Sequence, residues 1–551
     1  MRSVKKTYER ICEEFSWDDV RASFDWNPAE RFNIAHEVCD RHAEQPDRVA
    51  LFWLGKNGSE KKVTFAELKA HSDRFANVLR GLGVQKGDRV ACLLPKVPEL
   101  LITLLATLKM GAIYVPLFTA FGPNAIQHRV NHCRAVALVT NPEYRVNLDG
   151  IDLPHLKRII NISESTGAGI YKNDINFWAE INKADSAFQP HEGKLGDLSI
   201  IQYTSGSTGL PKGTMWSNQH ILTLYPFIKY GFDLQPTDVF WGSADPGWAY
   251  GLGACLLGPL LMGNSIIFSE HRFSPEDCYT TLEKYKVNNF ALAPTAFRAL
   301  MAAGDELRKK YEINLRAASS VGEPLNPEVI NWFKKNFGVE VYDGYGCSEM
   351  IMFICNFQAT DMIIKAGSMG RAIPGCEVAL IDHDGNLVRQ GEMGLIAYNT
   401  EGQGTCFMGY WEEPEKTKAR FIGKWFMPGD LAIQDEDGYF WFQGRDDDII
   451  SCAGYRIGPF EIESALLEHE DVVEAAVVGI ADELKGEAIK GYVVLRSGVV
   501  PSVELAEELK LFVKNKLAKH QTPKEIEFIA ELPKTPSGKI LRVSLRKGIA
   551  A

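Results

Sequence analysis

An α/β fold in at least two domains is predicted, on three observations. The chain's 551 residues exceed what one hydrophobic core ordinarily serves. Strand-like runs, RVACLLP (89–95), AIYVPL (112–117) and AVALVT (135–140), alternate with helix-like runs such as TFAELKAHSDRFANVLRGLG (64–83), the pattern of an α/β architecture. After a charged GRDDD segment (444–448), a helix-strand pattern of about 100 residues is a suitable size for a separate small domain.

The individual elements follow from local chemistry. In the 64–83 run, apolar positions recur at helical spacing, Thr64 can cap the free N–H groups ahead of Glu67, and Gly81 and Gly83 offer a stop. GEMGLIAY (391–398) and GYFWFQG (438–444) have the aromatic and β-branched character of strands between glycine turns, which predicts a β-rich section around residues 370–445. The domain boundary is placed near Asp447, giving units of 1–446 and 447–551. Residues 246–269 carry no charge and are long enough to span a bilayer. Gly251, Gly253, Gly258, Pro259, Gly263 and Asn264 interrupt that run, which reads instead as a short buried helix followed by a strand, SIIF, at 265–268. No integral membrane segment is expected.

Composition is that of a soluble globular protein. The net charge of -11, from 60 basic and 71 acidic residues, argues against broad binding of nucleic acid but leaves room for a local basic phosphate site. The eleven cysteines show no paired metal spacing, and the opening MRSVKKTYERICEEF is charged and mixed, unlike a secretory leader. Free thiols in a reducing cytoplasm are expected.

The most informative segment is YTSGSTGLPKG (203–213). Gly206, Gly209 and Gly213 let backbone N–H groups approach an anion, Thr204, Ser205, Ser207 and Thr208 add hydroxyl donors, and Lys212 adds a cation. That combination suits a polyphosphate. Pro211 before Lys212 and Gly213 after it depart from the Walker A spacing, so an ordinary P-loop NTPase is not expected.

Further motifs follow in order: GEP (322–324), DGYGCSE (343–349), PGD (428–430), GRDDD (444–448) and PSGK (536–539). Together they resemble the adenylate-forming superfamily of acyl-CoA synthetases, nonribosomal peptide adenylation domains and luciferases, over nearly the whole chain. The flanking SADPGW (243–248) and SVGEPLNPEVINW (320–332) look most like AMP-forming acetyl-CoA and medium-chain acyl-CoA synthetases. The resemblance implies two half-reactions. A carboxylate attacks the α-phosphorus of ATP to give acyl-AMP and pyrophosphate, and the CoA thiol then displaces AMP. It also implies a large N-terminal domain and a small mobile C-terminal α+β domain.

The resemblance carries roles onto matching positions. Lys539 is assigned to adenylation, and Lys212 with Thr204, Ser205, Gly206, Ser207, Thr208 and Gly209 to the pyrophosphate portion. Glu349 is assigned to Mg2+, beside Ser348 where the family usually has threonine. Tyr345 offers a face for adenine opposite Gly322, Glu323 and Pro324, with Asp343, Gly344 and Gly346 in the same nucleotide motif. Asp430 is assigned to the ribose hydroxyls with Arg445 beside it, and Arg456 to phosphate; Pro428 replaces a usual threonine. Asp447 looks like the hinge, and Ala453, Gly454 and Lys514 are assigned to CoA. Taken alone, Lys539 reads as a solvated tail lysine, Lys514 equally as an exposed helix lysine, and either arginine as an interdomain ion pair. Lys539 also lies in a pattern resembling sites of regulatory acetylation, which implies a lysine acetyltransferase and deacetylase as partners.

Acetyl-specific relatives place tryptophan where this chain has Gly346. Glycine there is expected to open the acyl pocket, whose other walls are Trp248, Ala249, Tyr250 and Val321. Since each methylene in an apolar pocket is worth about 1–3 kcal/mol of discrimination, an acid larger than acetate is expected: medium-chain, branched, alicyclic or aromatic. The alternatives are acetate itself, transfer of the acyl group to a carrier protein in place of CoA, or a silent adenylate-binding protein.

Overall fold

A computed structural model of the chain describes residues 5–163, 171, 173–204, 210–323, 325–402, 404–452, 455–482, 486–534 and 540–548, with the side chain of Arg456 apart. Its strands form five sheets. The eight-stranded sheet runs Phe407–Tyr410, Lys212–Ser217, Leu198–Thr204, Ile113–Pro116, Arg89–Leu93, Ala137–Thr140, Arg158–Asn161, Ile175–Asn176. Its strands from Leu198–Thr204 onward pair in parallel. The three runs read as strands in 89–140 lie side by side here and are almost wholly buried, which accounts for their unbroken apolar character. Helix Phe65–Gly81 starts with the expected capping box, Thr64 Oγ1 accepting from Glu67 N and Glu67 Oε2 from Thr64 N.

A six-stranded sheet is ordered Phe240–Gly242, Asn289–Leu292, Ala317–Val321, Val341–Cys347, Ile351–Cys355, Arg371–Ala372. Its first three joints are parallel and the rest antiparallel. The GEP and DGYGCSE motifs sit at the carboxyl ends of Ala317–Val321 and Val341–Cys347, where open α/β sheets bind ligands. A third sheet joins Val49–Leu54 to Glu60–Thr64 and Ile266–Ser269.

The expected β-rich section is a sheet of Val378–Ile381, Met393–Asn399, Phe421–Ile422, Trp425–Phe426, Asp430–Gln434 and Phe440–Arg445. From Arg445 the chain turns through Asp446–Asp448 and enters a five-stranded sheet at Ile450–Cys452. Helices Pro459–Leu467 and Val503–Lys516 pack on that sheet around Ile462, Leu466, Leu509 and Val513.

The uncharged stretch 246–269 is a buried chain of turns, α-helical at Ala249–Leu252, π-helical at Gly253–Leu257 and α-helical again at Gly258–Leu261, followed by strand Ile266–Ser269. No helix among the described residues is long and apolar enough to cross a membrane. All eleven cysteines are free thiols.

Candidate active site

The 203–213 segment connects antiparallel strands, Leu198–Thr204 and Lys212–Ser217, with Thr204 opposite Lys212. It is a hairpin connection, unlike the strand-to-helix turn of a Walker A loop. Ser205, Gly206, Ser207, Thr208 and Gly209 lie outside the described residues. The Tyr203 hydroxyl meets His132 Nδ1 at 2.9 Å and donates to the carbonyl of Arg129, fixing one arm of the hairpin. Gly213 serves packing: a Cβ there would stand 3.0 Å from Ile201 Cγ2 and 3.2 Å from Trp411 Cβ.

Strand Phe407–Tyr410 pairs with Lys212–Ser217 and brings in a residue the motifs did not name. The Tyr410 hydroxyl donates to Glu349 Oε1 at 2.5 Å, and Lys212 Nζ stands 4.9 Å from the centre of the Tyr410 ring. Lys212 and Glu349, separated by 137 positions in sequence, thus share one tyrosine. The turn carrying Glu349 is tied to the same sheet by Trp216 Nε1, which donates to the Ser348 carbonyl at 2.6 Å. Burial, reinforced by the positive charges of Arg420 and Lys416 and opposed by Glu349 and Glu413, lowers the pKa of Lys212 below that of an ordinary lysine.

Tyr345 packs edge-on against Phe353, with ring centres 5.2 Å apart, and its hydroxyl donates to Asp430 Oδ2. Arg445, opposite Asp430 in the strand pair, places Nη1 3.4 Å from Asp430 Oδ1 and Nε 3.4 Å from Asp447. Tyr345, Asp430, Arg445 and Asp447 therefore form one linked row. Asp448, next in line, is held from the other side by Arg546 at 2.6 Å, so neighbouring acids at the junction are tied to different parts of the chain. Gly322 has φ +113°, and Glu323 accepts from Thr295 Oγ1 at 2.8 Å and Arg298 Nη2 at 2.7 Å. Asp343 is buried beside Gly344, and burial pushes its carboxyl pKa well up.

Ala249, Tyr250 and Val321, expected to wall the acyl pocket, belong to one large apolar cluster with Ile351 and Met352. Trp248 leans on Phe118, ring centres 6.0 Å apart. The SADPGW turn carrying Trp248, Ala249 and Tyr250 is set by polar side chains: Asp245 Oδ1 accepts from Gly247 N at 2.7 Å, and the buried Gln202 donates through Nε2 to the Gly247 carbonyl at 2.6 Å. The direction in which a side chain would leave Gly346 is filled, contrary to the expectation of open space. A Cβ there would lie 1.8 Å from the Ile351 carbonyl oxygen and 2.9 Å from Met352 Sδ. Ile351 itself takes φ +63°, a left-handed conformation that is a genuine outlier for a β-branched residue. Such strain costs about 1–3 kcal/mol and clusters at functional sites.

Lys539, Pro324, Ala453 and Gly454 lie outside the described residues, and of Arg456 only the backbone, in strand Tyr455–Ile457, is described. Lys514 is exposed on helix Val503–Lys516. Among the described residues no cluster of three or more His, Cys, Asp or Glu side chains suits a metal ion. Magnesium in nucleotide sites is ordinarily held by one or two carboxylates plus substrate phosphates, and the oriented carboxylate of Glu349 fits that donor set.

Family models for "AMP-binding enzyme" and "AMP-binding enzyme C-terminal domain" match residues 39–411 and 461–539. The chain belongs to the adenylate-forming AMP-binding enzymes. Within them it is an AMP-forming acyl-CoA synthetase, an ATP-dependent ligase. The synthetase is 42% identical over 547 residues to acetyl-coenzyme A synthetase of Bacillus subtilis (strain 168), covering 98% of this chain and 95% of the relative. It is 33% identical over 551 residues to the Homo sapiens mitochondrial acyl-coenzyme A synthetase ACSM3, covering 97% and 92%. Among solved structures it matches a Brucella canis acyl-CoA synthetase at 40% identity and TM-score 0.80, covering 98% of both chains. An anthranilate CoA ligase in complex with anthranoyl-AMP matches at 27% identity and TM-score 0.85, covering 97% of this chain and 98% of that one.

Proposed function

We propose that the synthetase converts a carboxylic acid larger than acetate, with ATP and CoA, to acyl-CoA, AMP and pyrophosphate. The observation that carries the size of the acid is at Gly346: the Ile351 carbonyl packed against it leaves no room for any side chain, so an indole cannot close the pocket from this position. The wall is made instead by Val321, Ala249, Tyr250, Ile351 and Met352. Acetate is the second reading, favoured by the space Ile351 and Met352 take up and by the name of the Bacillus subtilis relative. Steady-state kinetics with acids from acetate to octanoate, benzoate and cyclohexanecarboxylate separate the two. The best larger acid is expected to exceed acetate in kcat/KM by at least about 10-fold; a higher kcat/KM with acetate would select the second reading.

Adenylation needs no general base, because the attacking carboxylate is already ionised. Its demands are alignment and neutralisation of a polyanion. Lys212 and the hydroxyls and N–H groups of residues 204–209 hold the pyrophosphate portion. Glu349, oriented by Tyr410, holds Mg2+, which supplies charge neutralisation to the phosphates when bound. Asp430 takes the ribose diol, with Tyr345 and Arg445 fixing its two oxygens. Lys539 reaches the carboxylate and α-phosphate during adenylation. Rotation about Asp447 then replaces it with the Ala453–Gly454 loop, where a missing side chain admits the pantetheine arm, while Arg456 meets phosphate and Lys514 the CoA nucleotide. Acetylation of Lys539 by a lysine acetyltransferase would remove its charge and switch adenylation off. The cytoplasm is the compartment that matches free thiols.

The electrostatics of Lys212 give a pH dependence. With its pKa lowered chiefly by burial and then by Arg420, Lys212 loses its charge at a lower pH than an exposed lysine does. The KM for ATP is therefore expected to rise on the alkaline side sooner than an ordinary lysine dictates. Lys212→Arg, whose guanidinium stays charged, is expected to lose that rise; superimposable profiles for the two proteins would contradict the assignment.

A further inference from the structure

Arg420 stands just before strand Phe421–Ile422, outside every motif. Its Nη1 donates to the Pro428 carbonyl at 3.3 Å, in the turn that delivers Asp430. Gly429, in that turn, has φ +89°, and a Cβ on it would lie 3.1 Å from Arg420 Nη1 and 3.3 Å from Arg445 Nη2. The two guanidinium groups thus flank one glycine. Arg420 also faces the Tyr410 hydroxyl, which holds Glu349, and lies close enough to Lys212 to depress its basicity.

Among the described residues no carboxylate oxygen comes within 4.0 Å of the Arg420 guanidinium. A partly buried arginine that has other cations for neighbours, and no carboxylate of its own, is unfavourable until an anion arrives. Lys212, Arg420 and Arg445 stand beside Glu349 and Asp430; Arg445 has the Asp430 and Asp447 carboxylates at 3.4 Å, while Arg420 is left for a ligand of high negative charge to neutralise. The arginine fork suits two phosphate oxygens at once.

We infer that Arg420 is a further phosphate-binding residue of the adenylation step, contacting the β- and γ-phosphates of ATP that leave as pyrophosphate. The inference rests on the assignment of Lys212 and Glu349 to that polyphosphate. Because AMP lacks these phosphates, Arg420 separates the two nucleotides. In Arg420→Ala the dissociation constant for ATP, and the inhibition constant of pyrophosphate, are expected to rise about 10–100-fold, the worth of a charge-assisted hydrogen bond. AMP affinity and thioester formation from supplied acyl-AMP are expected to stay within about 2-fold. Arg420→Lys is expected to recover part of the ATP affinity, since it keeps the charge and loses the fork.

Arg420→Gln, compared by thermal unfolding, replaces the alanine variant if that protein does not fold. Equal weakening of ATP and AMP would show that Arg420 only supports the Pro428–Asp430 turn, and unchanged ATP binding would show that it faces no phosphate; either result overturns the inference. Lys212→Ala in the same titration keeps the two levels apart. If it too leaves ATP binding unchanged, the polyphosphate site itself is misplaced, whereas loss in Lys212→Ala alone refutes only Arg420.

Discussion

Lys539→Ala is expected to lower acyl-adenylate formation by about 10²–10³-fold, the usual cost of removing one preorganised charge from a reacting centre. Thioester formation from supplied acyl-AMP and CoA is expected to stay within about 2-fold, because the proposed rotation about Asp447 takes the lysine out of the site in that half-reaction. The asymmetry decides between roles. A lysine that merely stabilised the C-terminal unit would lower both half-reactions together, since Ala453 and Gly454, proposed to meet CoA, fall between strands Ile450–Cys452 and Tyr455–Ile457 of the same five-stranded sheet. The check is single-turnover measurement of each half-reaction on the same preparation. Protein acetylated at Lys539, verified by mass spectrometry, is expected to behave as the alanine variant does, and full adenylation by such protein would refute the assignment.

Gly346→Trp is expected to disable the synthetase toward every acid, and not to convert it into an acetate enzyme. Sequence comparison alone suggests the conversion, because on that reading an indole at this position only fills a pocket. In the structure the substituent collides with backbone: 1.8 Å to the Ile351 carbonyl, in the pair of strands whose register shifts between Tyr345 and Gly346. Ile351 already holds a costly left-handed conformation, so the strand has little further freedom to yield. Overpacking alone costs about 1–3 kcal/mol, and displacement of this strand would also disturb Glu349, two positions before Ile351, and Tyr345 with its hydrogen bond to Asp430. Loss of adenylation with all acids, together with a lower Tm, is the expected outcome. A stable variant with improved kcat/KM for acetate would show that the strand pair rearranges freely and that the pocket is shaped as the sequence alone suggests.

The contrast at Gly346 indicates where sequence reading stops. The capping box of Thr64 and Glu67, the three strands in 89–140 and the β-rich section 370–445 were legible because each depends on neighbours within a few residues: a cap, a buried apolar run, a glycine turn. The π-helical turn Gly253–Leu257 has no such local sign. It follows the tightly packed Gly251, where a Cβ would stand 2.0 Å from the Asp245 carbonyl oxygen, and precedes Gly258, where one would stand 2.4 Å from Ile228 Cδ1. Tyr410 and Arg420 were missed for the same reason. Neither belongs to a motif: Tyr410 reaches Lys212 because strand Phe407–Tyr410 adds itself to the edge of a sheet built from much earlier residues, and Arg420 is tied to the turn that delivers Asp430. Lys212, Glu349, Tyr345, Asp430 and Arg445 were found through motifs, yet the ring contact, hydrogen bonds and ion pairs that orient them came from the fold.

The most direct measurement is AMP and pyrophosphate release by the purified protein from ATP and a panel of acids, acetate through octanoate with benzoate and cyclohexanecarboxylate, each with and without CoA. Multiple turnovers that require CoA, fastest with an acid larger than acetate and yielding one acyl-CoA per AMP, are the predicted result. A single adenylation per active site that CoA does not release would contradict the account and point to a carrier protein as acyl acceptor.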